Sequence, residues 1–339
     1  MAPLDRKQQL FSWLSEVLNA SPLEVVPLKG DASARQYFRV LVGECQYIAM
    51  DHPNDEASTR SFLAIAEHFN QHQILSPLIY AHDLARGFLL LSDLGDLTYL
   101  KILNDENADL LYRDAIHTLL KIQTCPPMGK LPSFNATVIL EELARFDDWF
   151  IQKFLHLKLT PASQKLLKCT YTRLVHNATS QPQVFTHRDY HADNLMWIKG
   201  GSPGVLDFQD AMLGPVTYDL VALLKDSRIA WPPKCVELWV DHYYTQARTR
   251  GVVQPDCTHT QFRHWFDWMG VQLHLKIMGI FARLHLRDDK SQYLCHIPRI
   301  FNYITHVASL YKDLIELGHL FEDIIMPRFE AVIKQSECL

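Results

Sequence analysis

The 339-residue sequence has no surplus of positive charge. Its 33 Lys plus Arg stand against 38 Asp plus Glu, a net of −5. That balance gives no electrostatic basis for holding nucleic acid or an anionic membrane surface. It also lacks a long apolar run free of charge. The most apolar long stretch, residues 266–286, carries Asp267, His274, Lys276 and Arg283, so a buried helix is expected there rather than a span. The first residues reach Asp5, Arg6 and Lys7 without forming an apolar core, and no signal peptide is expected. None of the seven cysteines forms a C-x-x-C pair, and the 17 histidines include no H-E-x-x-H. Reduced thiols in a cytoplasmic protein are the expectation, without a structural zinc site. Internal repeats and low-complexity segments are missing too. With 48% hydrophobic residues, the chain is long enough for about two globular domains.

What is present centres on His187-Arg188-Asp189-Tyr190-His191-Ala192-Asp193-Asn194, an H-R-D-x-x-x-x-N pattern, with Asp207-Phe208-Gln209-Asp210 following. In the kinase scheme the Asp of the first motif meets the acceptor hydroxyl and its Asn holds magnesium. The Asp that opens the second motif holds magnesium against the nucleotide phosphates. Asp189, Asn194 and Asp207 are assigned those roles. An isolated H-R-D is an ordinary loop with a surface ion pair. Here apolar strands at residues 184–186 and 195–198 flank it, and a turn at 200–203 leads to a third strand, 204–206, that delivers Asp207.

Along the chain, a helix is expected over residues 5–19. Strands at 24–28, 36–42 and 46–50 suggest an antiparallel meander. A helix capped by Asn54 runs to about His72, and further strands lie at 78–81 and 87–91. The fold class is α+β: a small lobe with a five-stranded antiparallel sheet, then a large helical lobe. The expected division is 1–91 for the nucleotide-binding lobe, 92–96 for a hinge, and 97–339 for the catalytic and acceptor-binding lobe. Helices are expected near 97–103, 107–124, 136–157, 161–178, 217–226, 233–249, 258–286, 298–317 and 321–334. Gly30 and Ser33 in the first hairpin suit close approach to phosphate, and the extended chain around Ser92 and Leu94 suits an adenine edge. Each also reads as an ordinary hairpin turn or linker. Strand alternation puts Tyr37 and Arg39 on one face and Phe38, Val40 and Val42 on the other.

The pattern His187-x-Asp189-x-x-x-x-Asn194, then Asp207 and Gly214-Pro215-x-x-Tyr218-Asp219-Leu220, resembles the aminoglycoside phosphotransferase and choline kinase-like superfamily. Gly30-Asp31-Ala32-Ser33, Tyr37-Phe38-Arg39-Val40, Met50-Asp51, residues 87–96 and Phe146-Asp147-Asp148-Trp149-Phe150 narrow the resemblance. They are similar to bacterial kinases that phosphorylate the anomeric hydroxyl of N-acetylmuramate and N-acetylglucosamine. The resemblance implies a bilobal protein-kinase-like fold, ATP with Mg2+, an amino-sugar acceptor and a role in peptidoglycan recycling. One departure stands out: Met50 occupies the third-strand position of the kinase lysine. Either Arg35 or Arg39 neutralises the phosphates instead, or the chain is a nucleotide-binding pseudokinase. An aminoglycoside or amino-alcohol kinase also stays open. Arg145, Asp147, Asp148, Trp149, His191 and Asp210 are candidates for the acceptor pocket, although Trp149 at helical spacing from Phe146 also reads as core. Arg188, Arg145 or Arg228 would serve an acceptor carboxylate. His187 and Asp219 are expected to organise the loop, Asp219 by capping the helix that begins near Tyr218. A monomer is expected.

Overall fold

The computed structural model describes residues 5–21, 24–28, 35–53, 55–126, 128–129 and 131–337. The chain falls into two compact units, one formed by residues 1–105 with 192–210 and the other by 106–191 with 211–339.

The first unit opens with helix α1 (Arg6–Leu18), followed by strands β1 (Glu24–Pro27), β2 (Gln36–Val42) and β3 (Cys45–Asp51). Helix α2 (Glu56–Gln71), strands β4 (Ile79–Asp83) and β5 (Phe88–Ser92) and the short helix α3 (Tyr99–Ile102) complete it. The sheet is five-stranded and antiparallel throughout, in the order β1-β2-β3-β5-β4. Strand β5 therefore pairs with the end of the meander rather than extending it through β4. Alternation on β2 behaves as its sequence suggests: Phe38 and Val40 are buried with Ala49, Phe88 and Leu90 against Leu10, Trp13 and Leu14 of α1. Asn54 lies outside the described residues; the cap of α2 is Asp55, whose carboxylate accepts from the Ser58 amide.

The second unit begins with α4 (Ala108–Thr124) and α5 (Ala136–Arg145), which winds on into a π-helix, Phe146–Phe154. Helix α6 (Pro161–Thr179) and strand β6 (Gln183–Thr186) follow. The chain then contributes the hairpin β7 (Leu195–Met196) and β8 (Gly204–Val205) to the first unit. It goes on through β9 (Met212–Pro215), α7 (Tyr218–Leu224), α8 (Pro233–Thr249), α9 (His259–Asp288), α10 (Ile297–Leu310), α11 (Ile315–Leu320) and α12 (Met326–Glu337). The 30-residue α9 is the spine of this unit. Buried residues occur on every side of it, from Phe262 to Leu284. At Gly279 it packs directly on the end of α5, where a Cβ would lie 2.4 Å from the Arg145 carbonyl carbon. No helix among the described residues is long and apolar enough to cross a membrane.

Two features depart from the expected elements. Residues 298–317 are not one helix: α10 ends at Leu310, and a 3-10 turn, Lys312–Leu314, precedes α11. Strand β9 was not expected, and β6 pairs with it rather than with the motif hairpin.

Candidate active site

The loop that carries Asp189 is built on the second unit. Strand β6 pairs antiparallel with β9, Val184 opposite Gly214 and Thr186 opposite Met212. At Gly214 any side chain would collide, since a Cβ would sit 2.9 Å from Thr186 Oγ1 and 3.1 Å from Phe134 Cβ. The pairing feeds β9 into α7, whose first turn carries Asp219. That carboxylate does not cap its own helix. It accepts the His187 and Arg188 amides at 2.7 and 2.8 Å and so clamps the loop backbone. Burial pushes the Asp219 carboxyl up to about 7, against the pull of those two donors.

Arg188 is held at φ +74°, a left-handed conformation uncommon for a side chain of its size. Its guanidinium donates to Glu142 of α5, which is only 1% exposed. Glu142 also takes Lys276 Nζ at 3.1 Å and Gln272 Nε2 at 3.0 Å from α9, and Lys276 Nζ donates to Tyr218 OH at 2.6 Å. A buried carboxylate between two cations is stable only because both partners are present. His187 is fully buried; its Nδ1 accepts the Asp189 amide at 3.2 Å and its ring meets Tyr190 edge-on. Tyr190 OH in turn donates to the Ala115 carbonyl of α4 at 2.8 Å.

On this frame the Asp189 side chain stays 51% exposed, and His191 Nε2 lies 3.1 Å from its Oδ1. Burial works to raise the Asp189 pKa, but His191 first, then His187 and Lys276, hold the carboxyl well below the usual range. For His191 the order is the same: burial pulls the imidazole down, and the Asp189 carboxylate lifts it above its ordinary value. Arg228 and Asp226 lie within electrostatic reach of His191. The Asp226 carboxylate is forked by Arg228, with Nε at 3.1 Å and Nη2 at 3.0 Å. Arg299 of α10 fixes the same turn by donating to the Ser227 carbonyl at 2.7 Å. This turn has no motif, and only Arg228 was singled out in it by residue type.

Asn194 and Asp207 belong to the first unit. Leu195 pairs with Val205, and the Leu206 amide donates to the Asn194 carbonyl at 3.0 Å, so Asn194 and Asp207 terminate the same end of one hairpin. The hairpin is tied down by the Val205 amide on the Leu75 carbonyl (2.8 Å) and by the Trp197 amide on that of Leu97 (2.7 Å). Thr98 donates to Asp193 at 3.2 Å, and Phe208 stacks on Phe62 of α2. Asp207 adopts φ +60°. Its Oδ1 accepts from Arg35 Nη1 at 3.0 Å and from Gln209 Nε2 at 3.0 Å, while Arg35 Nη2 reaches Ser58 of α2 at 3.0 Å. An amide and a carboxylate are hard oxygen donors, the set that suits magnesium. Arg39 is engaged elsewhere, on Asp93 at 2.5 Å and Asp96 at 2.8 Å. Met50 is fully buried opposite Tyr37 and Leu89. Ser92 pairs through backbone and hydroxyl with Leu78, and Leu94 lies against Gly204 of β8. Gly30 and Ser33 lie outside the described residues.

The remaining acceptor candidates have local partners of their own. Asp147 accepts from Tyr171 of α6 at 2.8 Å, and Lys153 covers the Trp149 ring at 3.7 Å. Arg145 and Asp148 belong to the same turn, where α5 gives way to the π-helix and Phe146, Phe150 and Phe154 face the core. Asp210 is an exposed residue of the first unit, within electrostatic reach of His52.

Known proteins share the sequence and the fold. A family model described as phosphotransferase enzyme family matches residues 24–253. An N-acetylmuramate/N-acetylglucosamine kinase of Pseudomonas putida is 41% identical over 312 residues, covering 88% of this chain and 91% of its own. A protein of the same name from Neisseria meningitidis is 36% identical, covering 89% and 90%. Among solved structures, the choline kinase LicA of Streptococcus pneumoniae superposes with a TM-score of 0.63 at 14% identity, over 89% of this chain and 99% of that one. An ADP-bound aminoglycoside phosphotransferase, APH(2'')-Ib, gives 0.61 at 15% identity over 87% and 97%. Matched by the family model over residues 24–253 and by close relatives along most of its length, the chain belongs to the phosphotransferase enzyme family.

Proposed function

We propose that this protein transfers the γ-phosphoryl group of ATP to the anomeric hydroxyl of an N-acetylated amino sugar, N-acetylmuramate or N-acetylglucosamine. The observation that carries the reading is the half-exposed Asp189, aimed by a loop that Asp219 and Glu142 clamp from behind. The named relatives point to the acceptor class. The reaction fits the recycling of cell-wall sugars in the cytoplasm, where ATP is supplied.

Positioning and charge neutralisation do most of the work in phosphoryl transfer. Asp189, held so acidic by His191, is a weak base. It accepts a hydrogen bond from the sugar hydroxyl, orients it, and takes the proton as the new bond to phosphorus forms. An anomeric hydroxyl is more acidic than an ordinary alcohol, so little basicity is required. Asn194 and Asp207 would hold Mg2+, which supplies neutralisation of the phosphate charge when bound. Arg35, already on Asp207, takes the place of the lysine that Met50 replaces, and the backbone around Ser92 and Leu94 receives the adenine.

Steady-state turnover of Asp189→Asn at saturating ATP tests the assignment. The expected loss in kcat is roughly 10² to 10⁴-fold, with ATP binding retained. A variant turning over near the wild-type rate would overturn it.

A further inference from the structure

The two acceptors differ in one respect that a protein can read: N-acetylmuramate carries a carboxylate on its lactyl group, and N-acetylglucosamine is neutral. We propose that Arg228 is the specificity-determining residue that receives that carboxylate. This rests on the amino-sugar reading above and deepens it.

An anionic acceptor approaching Asp189 meets another carboxylate, so the same pocket must present a compensating cation. Three arginines come into question by sequence, and the structure separates them. Arg188 is committed to the buried Glu142 behind the loop. Arg145 sits where α5 packs against Gly279, within electrostatic reach of another cation, Arg283. Arg228 stands on the turn after α7, within electrostatic reach of His191, the residue in contact with Asp189.

The orientation of its ion pair matters. Asp226 is the buried partner, its side chain 4% exposed, whereas that of Arg228 is 22% exposed. The pair therefore turns its positive end outward. Two contacts from Asp226 fix the guanidinium, so little side-chain entropy is lost when a carboxylate docks. Arg299, anchored on the Ser227 carbonyl, adds a second positive charge to the same turn, and His296 lies close to both arginines. In a pyranose the lactyl group is two ring carbons from the anomeric centre, so one sugar spans from Asp189 to a cation placed beside His191.

The test is kcat/KM for both sugars with wild type and Arg228→Gln. The expected result is a loss of roughly 10 to 100-fold on N-acetylmuramate, expressed mainly in KM, with N-acetylglucosamine changed by less than about threefold. Retained turnover of the neutral sugar doubles as the check that the variant is folded. Equal losses on both sugars, or none on N-acetylmuramate, would overturn the proposal. Should Arg228→Gln fail to fold, Arg228→Lys keeps a charge on Asp226 but loses the fork. It is expected to weaken N-acetylmuramate alone, and an equal effect on both sugars counts against the proposal. Wild-type protein inactive on both sugars would instead remove the amino-sugar reading itself.

Discussion

Asp189 and His191 are two residues apart, and their contact ties the chemistry of the loop to its stability. The pair contributes only while both partners are charged. His191 has a folded-state pKa above its ordinary value, so its contribution is complete below about 6.5 and is lost as pH rises through the raised value. Asp189, held low, stays ionised over that whole window. The Tm difference between wild type and His191→Gln is therefore expected to be largest in mild acid and to shrink with rising pH; a difference constant across neutrality would contradict the pairing. Arg35 offers a second test. It is the cation on Asp207, whereas Arg39 is occupied by Asp93 and Asp96, whose hydrogen bonds raise its pKa further. Arg35→Ala is expected to raise KM for ATP by about tenfold or more, the loss of one charge-assisted contact. Arg39→Ala is expected to lower stability with a smaller effect on KM. The reverse ranking would assign the missing lysine's role to Arg39.

At the scale of elements, the close approach of α9 to α5 supports Glu142, and through it Arg188. Gly279→Ala would force a methyl to within 2.4 Å of backbone atoms that cannot rotate away. The expected cost is about 1–3 kcal/mol, read as a Tm lower by roughly 1–4 °C. An unchanged Tm would mean that the helices separate freely. This contact is not visible in the sequence, and neither is the π-helix beside it. A hydrophobic period of 3.6 continues across Phe146, Phe150 and Phe154 whether the hydrogen bonds run to the fourth or the fifth residue. Strand β9 escaped notice because Met-Leu-Gly-Pro is not β-rich; its strand exists because Gly214 permits contact with Thr186. By contrast, the five sheet strands, α8 and the motif hairpin were legible, since alternation and turn residues specify them locally. On β2, alternation placed Phe38 and Val40 in the core correctly, yet the partners of Arg39 come from more than fifty residues away. The acceptor side was the least legible. Asp147 and Trp149 were chosen by residue type, whereas the charges that surround His191 are those of Asp189 and of a turn after α7.

For the whole molecule, the same fold carries a choline kinase and an aminoglycoside phosphotransferase at 14–15% identity. Fold alone therefore leaves the acceptor open. The relatives at 36–41% identity, which share most of the chain's length, are named as kinases of N-acetylmuramate and N-acetylglucosamine. The most direct measurement is product analysis after incubation with ATP, magnesium and each N-acetyl sugar, with choline and kanamycin alongside. The account predicts ADP formation with the sugars only, and a phosphate bonded to the anomeric carbon that acid releases and that blocks the reducing end. A phosphate on another hydroxyl, turnover of choline or kanamycin alone, or ATP binding without transfer to any acceptor would contradict it.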